Sequence, residues 1–232
     1  MVHVHVVFPA AGVGKRFGSA EPKQYATIHD RTVMEWTLDA LAAVDGLSKT
    51  IIALQPDDFK GREIASRAGV TDVCVGGNER ADSVLNALTL LAVTESADDW
   101  VLVHDIARPC VRATDVQALI QECEQLGQGG VLARPITDTV KQVSSVPGQC
   151  KTLDRSELWT VQTPQCFRLG ELLTAMRYCA ANNIPVTDES SAIEAMGGAV
   201  HLVKGSADNI KLTHAEDASL VAHYLAQQER IK

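Results

Sequence analysis

The chain has 232 residues, 46% hydrophobic and 22% charged, a composition that buries a core and excludes a disordered chain. Acids outnumber bases 29 to 21, for a formal charge of −8, which argues against a protein that grips long nucleic acid by its phosphates. No apolar run approaches the ~18 residues of a membrane span, and the first residues lack the Lys/Arg that precede a signal peptide's apolar region.

In chain order, Val2–Phe8 reads as a buried first strand, followed by the turn Gly12-Val13-Gly14. Val33, Trp36, Thr37, Ala40, Leu41 and Val44 recur at helical spacing. Thr50–Leu54 reads as a strand. Asp57–Ala68 reads as a helix weakened by Gly61, and Val70–Val75 as a strand. Gly76-Gly77 breaks the chain before a helix through Val84, Leu85, Leu88 and Leu91. Trp100–His104 reads as a strand ending at Asp105. Thr114 is the expected N-cap of a helix that Gly127 stops, and Val131–Ile136 is a strand. From Thr139 to Trp159 the alternation and the Pro147-Gly148 turn predict a β-hairpin or arm. Leu169–Ala181, Asp188–Met196 and Ala215–Gln228 read as helices; Ala199–Val203 and Asn209–Leu212 read as strands. Alternating strands and helices predict an α/β fold, a mostly parallel sheet flanked by helices. The whole of 1–232 is expected to be one domain with an inserted arm at about 137–160. Ligands of such sheets sit beyond the strands' carboxyl ends.

Several polar segments follow those ends. After the first strand comes Pro9-Ala10-Ala11-Gly12-Val13-Gly14-Lys15-Arg16, whose small residues let backbone N–H groups approach a phosphate. It is neither a P-loop nor a dinucleotide fingerprint: Pro9 and Arg16 break the first, Phe17 the second. The bland alternative is an ordinary glycine turn. Lys23, stiffened by Pro22, is a second phosphate candidate; alone it reads as a solvated charge. Asn78 and Ser83, after Gly76-Gly77, suit either a base or a helix cap, and the cap is the plainer reading. Asp105 is placed to hold Mg2+ through one carboxylate plus substrate phosphates, and Arg108 to grip a phosphate with its fork; a local Asp105–Arg108 ion pair is the alternative. Asp138-Thr139-Val140-Lys141, Asp154-Arg155, Gln162-Thr163-Pro164-Gln165, Thr187-Asp188-Glu189 and Asn209-Ile210-Lys211 each read singly as turn chemistry. His3 and His5 read as packing or edge residues rather than metal ligands. The six cysteines form no C-x-x-C pair and no zinc spacing, and read as reduced residues of a cytoplasmic protein.

In their order along the chain, Pro9-Ala10-Ala11-Gly12-x-Gly14-x-Arg16, Pro22-Lys23-Gln24-Tyr25, Gly76-Gly77-x-Glu79-Arg80-x-Asp82-Ser83-Val84, Val103-His104-Asp105-x-Ala107-Arg108-Pro109, Thr163-Pro164-Gln165, Thr187-Asp188-Glu189 and Asp208-Asn209-Ile210-Lys211 resemble the 2-C-methyl-D-erythritol 4-phosphate cytidylyltransferases of the non-mevalonate isoprenoid pathway. The resemblance spans nearly the whole chain. It implies a Rossmann-like nucleotidyltransferase fold, a homodimer interlocked by the arm, and CMP transfer from CTP to a sugar-alcohol phosphate with Mg2+. By motif position, Ala10, Ala11, Gly12, Gly14, Arg16 and Lys23 are expected at the triphosphate, and Gly77, Asn78 and Ser83 at cytosine. Asp105 is expected at the metal. Arg108, Thr187 and Lys211 are expected at the acceptor, with Thr139, Arg155 and Thr163 reaching it from the partner's arm. Arg16, Lys23, Arg155 and Lys211 are the implied catalytic cations. Two positions depart from the pattern: Ile106 where the family usually has Ala, beside the nucleotide, and Asn78 where relatives often have Asp. The alternatives are a ribitol 5-phosphate cytidylyltransferase on the same scaffold, a non-catalytic nucleotide-binding protein, and a nicotinamide-dependent dehydrogenase, which the missing third glycine disfavours.

Overall fold

A computed structural model describes residues 2–12, 17, 21–70, 72–145 and 148–231. Gly14 and Arg16 of the expected phosphate loop, and Pro147 of the expected turn, lie outside them.

The elements run β1 (Val4–Pro9), β2 (Thr27–Ile28), β3 (Arg31–Thr32), α1 (Val33–Ala42), β4 (Leu47–Leu54), α2 (Phe59–Arg67), β5 (Asp72–Val75), α3 (Arg80–Leu91), β6 (Trp100–Val103) and α4 (Ala113–Leu126). They continue with β7 (Gly130–Pro135), β8 (Lys141–Val143), β9 (Cys150–Thr152), β10 (Trp159–Arg168), α5 (Leu169–Ala181), α6 (Glu189–Ala195), β11 (His201–Lys204) and α7 (Asp217–Gln227). Seven strands form the central sheet in the order β11-β7-β10-β6-β1-β4-β5, with β2-β3 and β8-β9 as separate pairs. Every neighbouring pair of the central sheet is parallel except those of β10, which runs antiparallel to both β6 and β7.

Alternation along the strands divides the core. Val4, Val6, Phe8, Ile52 and Leu102 face one side, where α1, α2 and α4 supply Leu38, Ile64 and Leu119. Val7, Ile51, Val101 and Val103 face the other, against Leu88 of α3, Leu172 of α5 and Ile193 of α6. Because both faces are covered, β6 reads Trp-Val-Leu-Val with no polar position, as a doubly buried strand requires. A third cluster joins α7, through Val221 and Leu225, to Trp36 of α1 and to Ala107, Cys110 and Leu212.

The predicted hairpin is present as β8 and β9, paired from Lys141↔Thr152 to Val143↔Cys150. Gly127 ends α4 with φ +64°, the left-handed conformation that glycine adopts without a Cβ penalty. Gly61 does not break α2: a Cβ there would come within 2.5 Å of the Tyr25 hydroxyl, so the glycine admits that side chain.

Three expectations are corrected. The N-cap of α4 is Arg112 rather than Thr114, and no side chain caps it. Asn209–Leu212 is not a strand; its groups go to cross-links, Asn209 Nδ2 donating to Thr163 O at 2.8 Å and Leu212 N to Ala107 O at 2.8 Å. Gln162-Thr163-Pro164-Gln165 is not a loop cluster but the middle of β10. Proline is tolerated there because the register against β7 shifts between Val161 and Gln165, where no ladder bond is required of it.

Candidate functional site

Strand order reverses between β1, which pairs with β4 on one side, and β6 on the other. A crevice is expected at the carboxyl ends of these strands. It is there, as two adjoining clefts.

The first cleft has a volume of about 330 Å³ and is lined by Pro9, Ala10, Ala11, Gly12, Lys23, Gln24, Gly77, Asn78, Glu79, Arg80, Ser83, Asp105, Ile106, Ala107, Lys211 and Thr213. Its floor is the turn after β1. Gln24 Nε2 donates to Ala10 O at 3.0 Å and Gln55 Nε2 to Ala11 O at 2.6 Å, so the loop's carbonyls are tied back into the protein. The turn after β5 lies against it: a Cβ at Gly76 would sit 2.2 Å from Ala11 Cβ, so only glycine permits that approach. Ser83 shapes this wall, its Oγ accepting from Gly77 N at 3.1 Å and donating to Glu79 O at 3.2 Å. The cap of α3 is therefore neither Asn78 nor Ser83; Glu79 and Asp82 form the capping box. Ile106 borders the cleft, yet it is only 4% exposed and packs in the core cluster of Phe8, Ala10 and Val111.

The second cleft, about 210 Å³, is lined by Arg80, Asp105, Arg108, Val161, Gln162, Thr163, Gln165, Thr187, Asp188 and Lys211. Arg80, Asp105 and Lys211 belong to both clefts. Thr163 stands in its own chain's cleft, not on the hairpin, because β10 carries it back beside β6. Its Oγ1 accepts from Asp105 N at 3.0 Å and lies 3.1 Å from His104 Nδ1. Thr139 and Arg155 line neither cleft of their own chain; the Arg155 guanidinium donates to the carbonyl of Thr137.

Asp105 is the electrostatic centre. Its Oδ1 lies 2.9 Å from Arg80 Nε, and its Oδ2 lies 2.7 Å from Lys211 Nζ and 3.6 Å from Arg108 Nε. The local Asp105–Arg108 pair is thus real, but it is one of three. Burial alone would raise this carboxyl; the charges of Arg80, Lys211 and Arg108 outweigh it and hold the group well below the usual carboxylate range. Burial also pulls His104 down to about 4, so its ring is neutral at pH 7. Arg108 reaches Asn209 O at 2.8 Å, which, with the Leu212–Ala107 bond, brings the Lys211 segment against the Asp105 turn.

Arg80 and Glu189 stand within the motifs, but nothing in their local sequence gives them a role. Two Arg80 nitrogens donate to the Glu189 carboxylate at 2.6 and 3.1 Å, and Glu189 is fully buried. The partners are 109 residues apart, so no local spacing signals the pair.

The donor chemistry fits a divalent cation in one way. Asp105 offers a single hard carboxylate lining both clefts, which suits a hard divalent cation when phosphates complete the coordination. Among the described residues, the cluster with metal-ligand spacing is His5, Glu95 and Asp99, at the other end of β6. There Lys49 Nζ already neutralises Glu95 at 2.9 Å, and His5 is packed against Asp99 as the sequence suggests. No helix among the described residues is long and apolar enough to cross a membrane.

The family model for 2-C-methyl-D-erythritol 4-phosphate cytidylyltransferase matches residues 4–227. The chain is similar to a relative of that name from Hahella chejuensis, 43% identical over 95% of this chain and 92% of the relative. Another, from Vibrio vulnificus, is 40% identical over 99% and 97% of the two chains. Among solved structures it resembles the Francisella tularensis protein of the same name, with TM-score 0.79 and 34% identity over 96% of this chain and all of that one. A 4-diphosphocytidyl-2C-methyl-D-erythritol synthase is similar at TM-score 0.83 and 34% identity, covering 97% of this chain and 99% of that one. The fold is that of these nucleotidyltransferases.

Proposed function

The chain belongs to the 2-C-methyl-D-erythritol 4-phosphate cytidylyltransferase family, and from that premise we propose that it transfers CMP from CTP to 2-C-methyl-D-erythritol 4-phosphate, giving the CDP-alcohol and pyrophosphate. The observation that carries the reading beyond family membership is Asp105, shared by two clefts and ringed by three cations. One cleft has the backbone and small residues that suit a triphosphate and a base. The other has the basic groups that suit a second phosphate.

A phosphate oxygen of the acceptor forms a bond to the α-phosphorus of CTP in line with the α–β anhydride. That anhydride bond breaks and its electron pair leaves with pyrophosphate. The nucleophile is already anionic, so no general base is required. The obstacle is repulsion between two anions, so catalysis reduces to positioning and electrostatics. We assign the triphosphate to Ala10, Ala11, Gly12, Gly14, Arg16 and Lys23, and cytosine to Gly77, Asn78 and Ser83, with Ile106 beside the nucleotide. Arg108, Thr187 and Lys211 are assigned to the acceptor phosphate. Thr163 supports that cleft by fixing the backbone of Asp105. Arg16 and Lys23 are the stabilisers of the transition state; Lys211 and Arg155 aim the nucleophile.

Asp105 would hold the metal, and Mg2+ is the ion that a lone carboxylate plus phosphates suits. When bound, it would neutralise charge on the phosphates. Lys211 and Arg108, which share the Asp105 oxygen in the free protein, would then have phosphate oxygens to turn to.

We read 1–232 as one nucleotidyltransferase domain whose arm, at about 137–160, dimerises. Val143, Trp159 and Val161 are exposed on or beside that arm, and Thr139 and Arg155 line neither cleft of their own chain, which supports their reaching a cleft of a second copy. All six cysteines are free, in keeping with a reducing cytoplasmic setting.

The test is pyrophosphate release with CTP, Mg2+ and either methylerythritol 4-phosphate or ribitol 5-phosphate. Turnover with the branched acceptor alone is expected. Turnover with ribitol 5-phosphate alone would move the acceptor assignment, and silence with both from folded protein would overturn the reading.

A further inference from the structure

Arg80 opens α3 and its side chain borders both clefts, yet none of the roles above belongs to it. Its guanidinium is divided. Nε donates to Asp105 Oδ1 at 2.9 Å, while the two terminal nitrogens make a fork to Glu189 at 2.6 and 3.1 Å. The other cations near Asp105, Lys211 and Arg108, both lie on Oδ2. Arg80 therefore holds one carboxylate oxygen by itself and leaves the other to the groups that deal with substrate.

Glu189 gives this arrangement its stiffness. It opens α6, and its neighbours Thr187 and Asp188 line the acceptor cleft. The start of α6 is braced to β10 through Gln165, whose Nε2 donates to Asp188 Oδ2 at 2.9 Å and whose Oε1 accepts from Ser190 N at 2.8 Å. A fully buried carboxylate in a braced helix start is a fixed anchor, and a planar fork is the cation that can dock on it while presenting Nε in another direction. A lysine has no such second edge.

We propose that Arg80 is a positioning residue: anchored by Glu189, it fixes the rotamer of Asp105, and so keeps Oδ2 aimed into the junction of the nucleotide and acceptor clefts. This rests on the functional reading above, in that the aim of Oδ2 matters only if phosphates and a metal meet there. Arg80 itself touches no reacting atom.

The experiment compares wild type, Arg80→Lys and Glu189→Gln. Three readouts are taken: Mn2+ affinity in the presence of CTP and no acceptor, by electron paramagnetic resonance; kcat and both KM values; and the thermal midpoint. Arg80→Lys is expected to weaken Mn2+ binding and lower kcat by about 10- to 100-fold, as loss of a ligand's supporting partner does elsewhere. Glu189→Gln, which contacts no substrate and keeps its shape, is expected to shift both in the same direction by less. If Arg80→Lys does not fold, Glu189→Gln decides. Unchanged Mn2+ affinity and unchanged kcat per folded molecule, with only the midpoint lowered, would make the triad a structural brace and overturn the proposal. A raised KM for CTP with kcat and Mn2+ affinity intact would also overturn it, by making Arg80 a direct phosphate ligand. A wild type that binds no Mn2+ with CTP and releases no pyrophosphate would instead bring down the functional reading, and this role with it.

Discussion

Strand β6 has a buried aspartate at each end. Asp99, 3% exposed, precedes it, and Asp105, 7% exposed, follows it. At Asp99, Oδ1 accepts from His3 N at 2.9 Å and Oδ2 from Ser96 N at 3.0 Å, with the His5 ring at 3.3 Å. Two of those donors are main chain and cannot turn away without local unfolding. At Asp105 the charges facing the carboxylate are all on side chains: Arg80 Nε at 2.9 Å, Lys211 Nζ at 2.7 Å and Arg108 Nε at 3.6 Å. Lys211 and Arg108 can re-aim when a better anion arrives, while Arg80 stays docked on Glu189. The residue type, strand and burial match; what separates a structural carboxylate from a working one is the mobility of its partners and the end of the sheet it occupies.

Asp105→Asn is the sharpest way to break the comparison. It is expected to lower the rate of pyrophosphate release on the order of 10²- to 10³-fold, the scale of a lost electrostatic stabiliser. Near-normal turnover would place the working carboxylate elsewhere. Asp99→Asn is expected to do the opposite: kcat per folded molecule unchanged, stability lower by about 1–3 kcal/mol at pH 7 as buried bonds are weakened. Burial alone would raise the Asp99 carboxyl, but the N–H groups of His3 and Ser96 and the His5 ring outweigh it and depress it. The stabilisation by this group is therefore complete above the ordinary carboxylate value near 4 and lost as pH falls below it. Urea melts should show the gap between wild type and Asp99→Asn closing as pH falls below about 4; a gap constant with pH would refute the ionic account.

Asp188→Ala sits between the two cases. Asp188 caps α6 in a reciprocal box with Ser191 and also accepts from Gln165. A loss of about 1 kcal/mol is expected from the cap, together with a raised KM for the acceptor and little change for CTP; equal rises in both would mean that α6 does not serve one cleft selectively. The smallest effect is expected from alkylation. Cys150 is exposed on β9, while burial pushes the Cys110 thiol up to about 12. Iodoacetamide at pH 8 should modify Cys150 in the native protein and leave Cys110 untouched, as peptide mapping would show.

Much of the fold could be read in the sequence because its strands are apolar runs and its helices carry one apolar stripe; β6 and α5 were expected almost residue for residue. β10 was not, because a polar run with a proline contradicts the pattern of a central strand. Only the register shift beside β7 reconciles them. Asn209–Leu212 failed for the converse reason: its polar–apolar alternation suits a strand, but its hydrogen-bonding groups are committed to Thr163 and Ala107. At the site, Asp105, Lys23 and Asn78 are legible as polar residues after strands, while Lys211 enters only through the family resemblance; all four line one cleft. The Arg80–Glu189 fork was not, since it closes only when α3 and α6 pack on the same face of the sheet.

The antiparallel course of β10 has a further consequence. β7 ends at Pro135 and β10 begins at Trp159, side by side in the same register pair, and Ile136 N donates to Leu158 O at 3.0 Å just beyond them. The chain between is a closed excursion, entering and leaving the sheet at one point on the cleft side. Its length and sequence can drift without disturbing a single pairing of the central sheet. An engineer could likewise cut it out and join its ends with a short turn. The fold thus leaves the pairings of its central sheet independent of the arm that carries Thr139 and Arg155.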